Sequence, residues 1–194
     1  MKFEIFKFES VTSTNDVAID LIRSNKEETG CVFADLQTRG RVTKGKIWIS
    51  EMGNLFISIF FPLKENYPPF NEFSTINPLI ISEVIKHFCE SKNINLKFPN
   101  DIFVNGKKIC GILQELIVSN NRKFLIIGIG VNIISNPEIN DKYQTTNILS
   151  ETQKRPMIKE IIDLLISSYE KFFINLNSYN YEHFKKKADL MVLN

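Results

Sequence analysis

The chain has 194 residues, 43% apolar and 24% charged, with 24 Lys and Arg against 22 Asp and Glu for a net charge of +2. That length suits one ordinary domain with a core, the composition excludes wholesale disorder, and the small charge argues against nucleic-acid coating or membrane adhesion. No apolar run approaches the roughly 20 residues of a membrane helix, and the start, MKFEIFKFES, has no signal-peptide core.

In chain order, Lys2 to Phe8 reads as an opening strand. Ser13-Thr14-Asn15-Asp16 supplies N-cap candidates ahead of Val17, Ala18, Leu21 and Ile22, which recur at helical spacing. Gly30 ends that segment, Cys31 to Gln37 reads as a second strand, and a loop runs from Thr38 to Ile47. Asn54 to Phe61 is an apolar run of strand length, expected at the centre of a sheet and stopped by Pro62 and Pro68-Pro69. Ile76 to Glu90 has helical length and period, with Leu79, Ile80, Val84 and Phe88 on one side.

Four β-prone runs follow: Leu96 to Phe98, Ile102 to Val104, Lys108 to Val118 and Lys123 to Ile134. Asn105-Gly106 and Ser119-Asn120-Asn121 separate the later ones, and Asn-Gly is the strongest short hairpin signal, so an antiparallel meander is expected. After a polar stretch with Pro137, helices are expected from Pro156 to about Phe173 and from about Tyr179 to Leu190. Helices early and late around a meander imply an α+β fold, one mixed or antiparallel sheet with helices packed on one face.

Three segments carry candidate chemistry. Thr38 to Lys46 holds four cations and two glycines without an acid, which suits a phosphate-gripping loop or an exposed basic turn touching nucleic acid. It is not a Walker A motif, because the Gly-Lys-Ser/Thr ending and following helix are absent. In Lys97-Phe98-Pro99-Asn100-Asp101, Pro99 interrupts the strand and presents Asn100 and Asp101, an amide for a base edge and a carboxylate for a hydrated Mg²⁺.

Lys108 alternates with Cys110 and Ile112, so the three are expected on one face. A buried lysine there needs an anionic partner such as a substrate carboxylate; the alternative is an ordinary hairpin-end charge. Gly111 suggests close approach of a ligand or neighbour. Gly128-Ile129-Gly130-Val131-Asn132 lacks the third glycine and helix of a dinucleotide fingerprint. Its alternate glycines leave one sheet face bare for a flat ligand, with Asn132 capping the gap, or thin a strand under a packed helix.

Other chemistries are missing. His87 and His183 lack metal-ligand spacing, and there is no Gly-x-Ser-x-Gly elbow or Cys/His pairing for covalent catalysis. Cys31, Cys89 and Cys110 are odd in number and widely spaced, which suggests reduced thiols in a cytoplasmic protein.

Taken in order, Ser13-Thr14-Asn15, Gln37 through Trp48, Lys97 through Gly111 and Gly128 through Asn132 resemble the biotin–protein ligases. The resemblance covers about residues 8 to 150. It implies a fold like that of class II aminoacyl-tRNA synthetases and biotin synthetases. It also implies ATP-dependent activation of biotin as biotinyl-5'-adenylate, with Mg²⁺, and transfer to a lysine of a biotin carboxyl carrier domain of a carboxylase.

Carried over residue by residue, Ser13, Thr14, Asn15 and Gln37 would hold biotin, and Gly40, Arg41, Val42 and Thr43 would close over biotin and phosphate. Lys108 would bridge the biotin carboxylate and the α-phosphate with Gly111 leaving room beside it; Lys108 and Arg41 are the expected catalytic pair. Trp48, Asn100 and Asn132 would face the nucleotide together with Arg41 and Lys108, and Asp101 the metal or loop.

The family loop reads Gly-Arg-Gly-Arg-x-Gly, whereas this one reads Gly40-Arg41-Val42-Thr43-Lys44-Gly45. Val42 resists the positive φ that glycine allows, and Thr43 stands where a second arginine is expected, so a looser grip on the adenylate is expected. Phe98 replaces the usual Trp and keeps an aromatic. The resemblance implies residues 1–176 as the catalytic domain and 177–194 as a closing helix, a vestige of or replacement for the family's small β-barrel. No N-terminal helix-turn-helix domain is expected, and hence no DNA partner; with no apolar run of membrane length, no membrane partner is expected either. Family members often pair sheet to sheet, which makes a homodimer one expectation. A lipoate ligase, a degenerate ligase and a non-catalytic nucleic-acid module are the alternatives; the Ser-Thr-Asn helix start and Gly-Arg loop favour biotin.

Overall fold

A computed structural model describes residues 1–45, 47–90, 92–137 and 143–193, so Lys46 of the basic loop lies outside the described residues. Strand β1 (Glu4–Val11), helix α1 (Thr14–Arg23) and strand β2 (Gly30–Gln37) form a parallel β–α–β unit. Helix α1 stops well before Gly30, because Ser24 caps it and Asn25 turns to a positive φ of 54°. The segment expected as a loop carries a small ribbon, β3 (Gly40–Arg41) and β4 (Ile47–Trp48), around a 3-10 turn at Thr43–Gly45.

Strand β5 (Leu55–Pro62) is buried along its whole length, as expected of a central strand, and Pro62 is its last rung opposite Phe124. Helix α2 (Phe73–Phe88) starts before the expected Ile76, with Phe73 and Pro78 in its buried surface. Its buried face also differs from the one read in sequence. Ile81 and Ile85 join Leu79 and Val84 inside, while Ile80 and Phe88 are half-buried, because the helix lies between the sheet and two later helices.

The meander is β6 (Ile94–Lys97), β7 (Asp101–Val104), β8 (Lys107–Ser119) and β9 (Arg122–Val131), antiparallel throughout. A cis Phe98–Pro99 peptide bond lies between β6 and β7. The two later hairpins have positive φ at both loop residues, 51° and 76° at Asn105-Gly106 and 49° and 59° at Asn120-Asn121, the pattern of type I′ loops. The strand order of the main sheet is β1-β2-β5-β9-β8-β7-β6. Helices α3 (Ile148–Thr152), α4 (Ile158–Ile174) and α5 (Tyr181–Asp189) complete the fold; α3 lies in a stretch read from sequence only as polar.

Helices α2, α4 and α5 cover one face over Ile57, Ile59, Phe61, Leu125 and Ile127. Each such side chain, once buried, is worth about 1.5–3 kcal/mol, which makes this layer the main source of stability. Inside it Tyr169 donates to Asn77, Asn77 to Gln114, and Gln114 to the Phe70 carbonyl, so its buried polar groups are paired. The chain end joins the same core: Leu96 pairs with Met191 and Leu193 backbone groups, and Ala188 is buried.

Helix α1 departs from the single helical layer. It lies on the other face, where Ala18 and Ile22 pack on Val32, Phe60, Phe124 and Ile126. The rest of that face, beyond the helix start, is left to the β3–β4 ribbon and the site. Among the described residues no helix is long and apolar enough to cross a membrane. The three cysteines are free and buried.

Candidate active site

The site begins with what three glycines leave out. In the β8–β9 ladder Gly111 is opposite Gly130 and Leu113 opposite Gly128, and the next strand places Ser58 opposite Gly128. A Cβ added at Gly111 would lie 2.5 Å from the Trp48 ring, and one at Gly130 2.6 Å from it; one at Gly128 would meet the Asn15 side chain. The bare strip expected from the glycines therefore exists, and the chain's own Trp48 and Asn15 pack onto it. Asn132 does not close it. Its amide is turned to the Thr146 carbonyl at 3.0 Å, and Asn54 holds the next segment by accepting from the backbone of Ile133 and Ile134.

Around this strip lies a cavity of about 680 Å³. Ser13, Thr14, Asn15 and Gln37 form one end, Arg41, Val42, Thr43 and Trp48 the ribbon side, and Asn100, Asp101, Lys108, Gly111 and Asn132 the other end. These residues come from segments up to 119 positions apart in the chain (132 − 13), and the sheet brings them to one wall. Gly40 packs behind that wall, where a Cβ would lie 2.9 Å from Gln37 Nε2 and 2.8 Å from the Trp48 carbonyl oxygen.

The α1 end is wired by hydrogen bonds. The Thr14 backbone N–H donates to Gln37 Oε1 at 2.9 Å, and its hydroxyl donates to the same oxygen at 3.1 Å. Gln37 Nε2 reaches Ser50 at 3.4 Å. Beneath them the fully buried Ser58 hydroxyl lies within bonding distance of Thr14 Oγ1, 2.7 Å, and of Asn15 Oδ1. One hydroxyl thus ties both residues to the central strand. Ser13 caps the helix by position, without a side-chain capping bond.

Lys108 faces the cavity for a reason that simple alternation misses. The β7–β8 register shifts so that Ile102 is opposite Cys110 but Phe103 is opposite Lys108, leaving Ile109 as an extra residue. Cys110 and Ile112 belong to the helix-covered core, whereas Lys108 shares the cavity face with Gly111. Its Nζ is 2.7 Å from Asp101 Oδ1, with side-chain exposures of 24% and 19%. The same ammonium lies 5.7 Å from the Trp48 ring centroid. The half-buried ammonium thus has a carboxylate partner.

Arg41 is gripped by acids instead of standing free. Nη1 and Nη2 donate to the two carboxylate oxygens of Glu115 at 2.7 Å each, and Nη2 pairs with Asp16 at 2.9 Å. Burial alone would lower the guanidinium pKa, but the Glu115 bond and the charges of Glu115 and Asp16 outweigh it and hold it above its ordinary value. Asn15 Nδ2 also donates to Glu115, at 2.7 Å. Arg41 Nε and Trp48 Nε1 are buried donors with no acceptor among the described residues.

Sequence reasoning passed over Ser58, Glu115 and Asn54. The signal for each was present: Ser58 is the one polar residue in Leu55–Phe61, and Glu115 is the one acid in Lys107–Ser119. For a metal, no cluster of three or more His, Cys, Asp or Glu occurs among the described residues. Asp101 offers one carboxylate already paired with Lys108, which suits a cation carried in on substrate phosphates better than a resident ion.

The fold, a mixed sheet with a helical layer on one side, is shared with solved ligase structures. The biotin protein ligase from Aquifex aeolicus in complex with biotin and ATP matches with a TM-score of 0.81 and 27% identity, over 98% of this chain and 78% of that one. The biotin protein ligase from Leishmania major in complex with biotinyl-5-AMP matches with a TM-score of 0.78 and 27% identity, over 98% and 81%. In sequence, the chain is 34% identical over 131 residues to the bifunctional ligase/repressor BirA of Bacillus subtilis (strain 168). It is 25% identical over 175 residues to the biotin--[acetyl-CoA-carboxylase] ligase of Paracoccus denitrificans, 87% of this chain and 72% of that protein.

Residues 7–132 match the biotin/lipoate A/B protein ligase family, and the chain belongs to it. It spans 39% of the length of the Bacillus subtilis relative, whose matched part corresponds to 66% of this chain.

Proposed function

We propose that the chain is a biotin–protein ligase: it activates biotin with ATP as biotinyl-5'-adenylate and transfers it to a lysine of a biotin carboxyl carrier domain of a carboxylase. The observation that carries this reading is the cavity itself. It puts a hydrogen-bonding end, Ser13, Thr14, Asn15 and Gln37, in line with a half-buried ammonium, Lys108, and with Arg41 and Trp48 along the side.

In the first step a biotin carboxylate oxygen attacks the α-phosphorus of ATP. The bond from that phosphorus to the oxygen bridging the β-phosphate breaks, and pyrophosphate leaves with the electron pair. In the second, the neutral amine of the acceptor lysine attacks the acyl carbon, AMP leaves with the C–O pair, and the amine proton passes to water. Neither step needs a protein nucleophile.

The chain's own residues supply position and charge. Thr14 and Gln37, already fixed on each other, present the polar end that orients the ureido ring. Lys108 sits between the carboxylate and the α-phosphate and offsets the charge that gathers there; Asp101, 2.7 Å from it, holds it in place. Trp48, whose indole N–H is buried without an acceptor among the described residues, would stack on the nucleotide base, with Asn100 and Asn132 beside it in the same cavity. Mg²⁺ carried on the ATP phosphates would be held by Asp101, and would offset phosphate charge during the transfer.

Pyrophosphate exchange into ATP, run with biotin and lipoate in parallel, tests the reading, followed by transfer to a purified carrier domain. Biotin-dependent exchange is expected. Exchange with lipoate alone, or with neither acid, overturns it.

A further inference from the structure

The β3–β4 ribbon has only two rungs, too few to hold its own shape, so something else must dock it over the glycine strip. Its attachments are the Trp48 ring on Gly111 and Gly130 and the Arg41 guanidinium on Glu115 and Asp16. Of the two acids, Asp16 is 42% exposed and bonds one nitrogen. Glu115 is 24% exposed, stands in β8 opposite Ile126 of β9, and takes both nitrogens as a bidentate pair. Bidentate, partly desolvated arginine–carboxylate bonds are the strong kind, and surface pairs the weak kind. The same Glu115 carboxylate accepts from Asn15, so one side chain joins the start of α1 to the ribbon.

We propose that Glu115 is a positioning residue that acts through Arg41: it docks the β3–β4 ribbon, with Trp48, onto the sheet and so holds Arg41 at the side of the cavity where the acyl-adenylate forms. This rests on the ligase reading above. Nη2 bonds both Glu115 and Asp16 and Nη1 bonds Glu115, while Arg41 Nε and Trp48 Nε1 are buried without an acceptor among the described residues. Because Arg41 and Trp48 belong to the two facing strands of one ribbon, loosening Arg41 loosens Trp48 as well.

Glu115→Gln tests this with little change of shape. It keeps an acceptor for Asn15 but removes the charge and the bidentate pairing. Trp48 is the single tryptophan of the chain, so acrylamide quenching of the ligand-free protein reports on the ribbon alone. Quenching is expected to rise severalfold in Glu115→Gln while the melting temperature stays near wild type. Arg41→Lys, which keeps the charge but not the fork, should raise it likewise. With biotin and ATP, release of the adenylate should quicken roughly tenfold in Glu115→Gln. In an Arg41→Ala background the same change should add nothing further.

Unchanged quenching in both single variants overturns the proposal. So does a Glu115→Gln effect of equal size with and without Arg41. If quenching rises as expected but wild type shows no biotin-dependent exchange, the docking role stands and the ligase reading fails.

Discussion

Lys108 and Asp101 face each other across adjacent strands at 2.7 Å, inside the cavity and beside the Trp48 ring. The pair gives a half-buried ammonium a carboxylate partner. Lys108→Ala should lower biotin-dependent pyrophosphate exchange by at least about 10²- to 10³-fold, the usual cost of one preorganised donor to developing charge. The fold should persist, because the ammonium contributes little to the core under the helical layer. Exchange at wild-type rate with a normal melting curve would remove Lys108 from the reaction.

Ser58 gives a second expectation. Its hydroxyl serves Thr14 and Asn15 from the central strand, and no other described side chain reaches both. Ser58→Ala should cost about 1–2 kcal/mol of stability and raise the KM for biotin roughly 5- to 30-fold. The KM for ATP should move much less, since the hydroxyl lies at the α1 end. Equal rises in the two constants would show that the whole cavity had shifted.

Much of this was legible from residues alone. The central position of β5 and the hairpin turn at Asn105-Gly106 follow from local patterns, Ser119-Asn120-Asn121 marks the later turn, and the site residues from Ser13 to Asn132 follow from the family resemblance. What escaped depends on register and on pairing between distant segments. A one-residue bulge at Ile109 turns Lys108 away from Cys110, and strict alternation places them together. The partners of Arg41 lie 25 and 74 residues away, at Asp16 and Glu115, so the loop reads in sequence as a free cluster of cations. The short ribbon is hidden for the same reason: two rungs leave no periodic signal.

The glycine strip makes a prediction about Trp48. A methyl at Gly130 would lie 2.6 Å from the ring, well inside contact distance, and Gly130 is held on both sides by β5 and β8. Because the backbone cannot give way, the ring must move. Gly130→Ala should shift the emission of the single tryptophan to the red and raise the KM for ATP. An unshifted spectrum would mean that the indole does not rest on the strip in solution.

The thiols should be inert. Burial pushes Cys31 up to about 12, and burial, with the Glu151 charge adding to it, pushes Cys89 up to about 11. Cys110 is also raised, by burial first. At pH 8 the folded protein should resist iodoacetamide at all three sites and react fully in denaturant. An unfolded thiol titrates near 8.5–9, so the folded state holds more protons above that pH. The stability this contributes is complete below about pH 8.5 and should be lost as pH rises toward 11–12. Rapid labelling in native buffer would contradict the buried placement.

The loop departure can now be narrowed to charge. In the described part of the loop only Gly45 takes a positive φ, 71°, so Val42 is not forced into a costly conformation. Val42 and Thr43 both line the cavity, and Thr43 opens the 3-10 turn. Arg41, the cation two residues before it, has three of its donors committed to Glu115 and Asp16. A phosphate near Thr43 therefore meets a hydroxyl where a guanidinium would offer charge-assisted bonds worth about 1.5–3 kcal/mol. Thr43→Arg should slow release of biotinyl-5'-adenylate by roughly tenfold or more. It should correspondingly reduce stray biotinylation of a non-cognate protein mixed with enzyme, biotin and ATP, because labelling at a distance needs adenylate that has left the site. Equal stray labelling by wild type and Thr43→Arg would show that Thr43 does not limit retention.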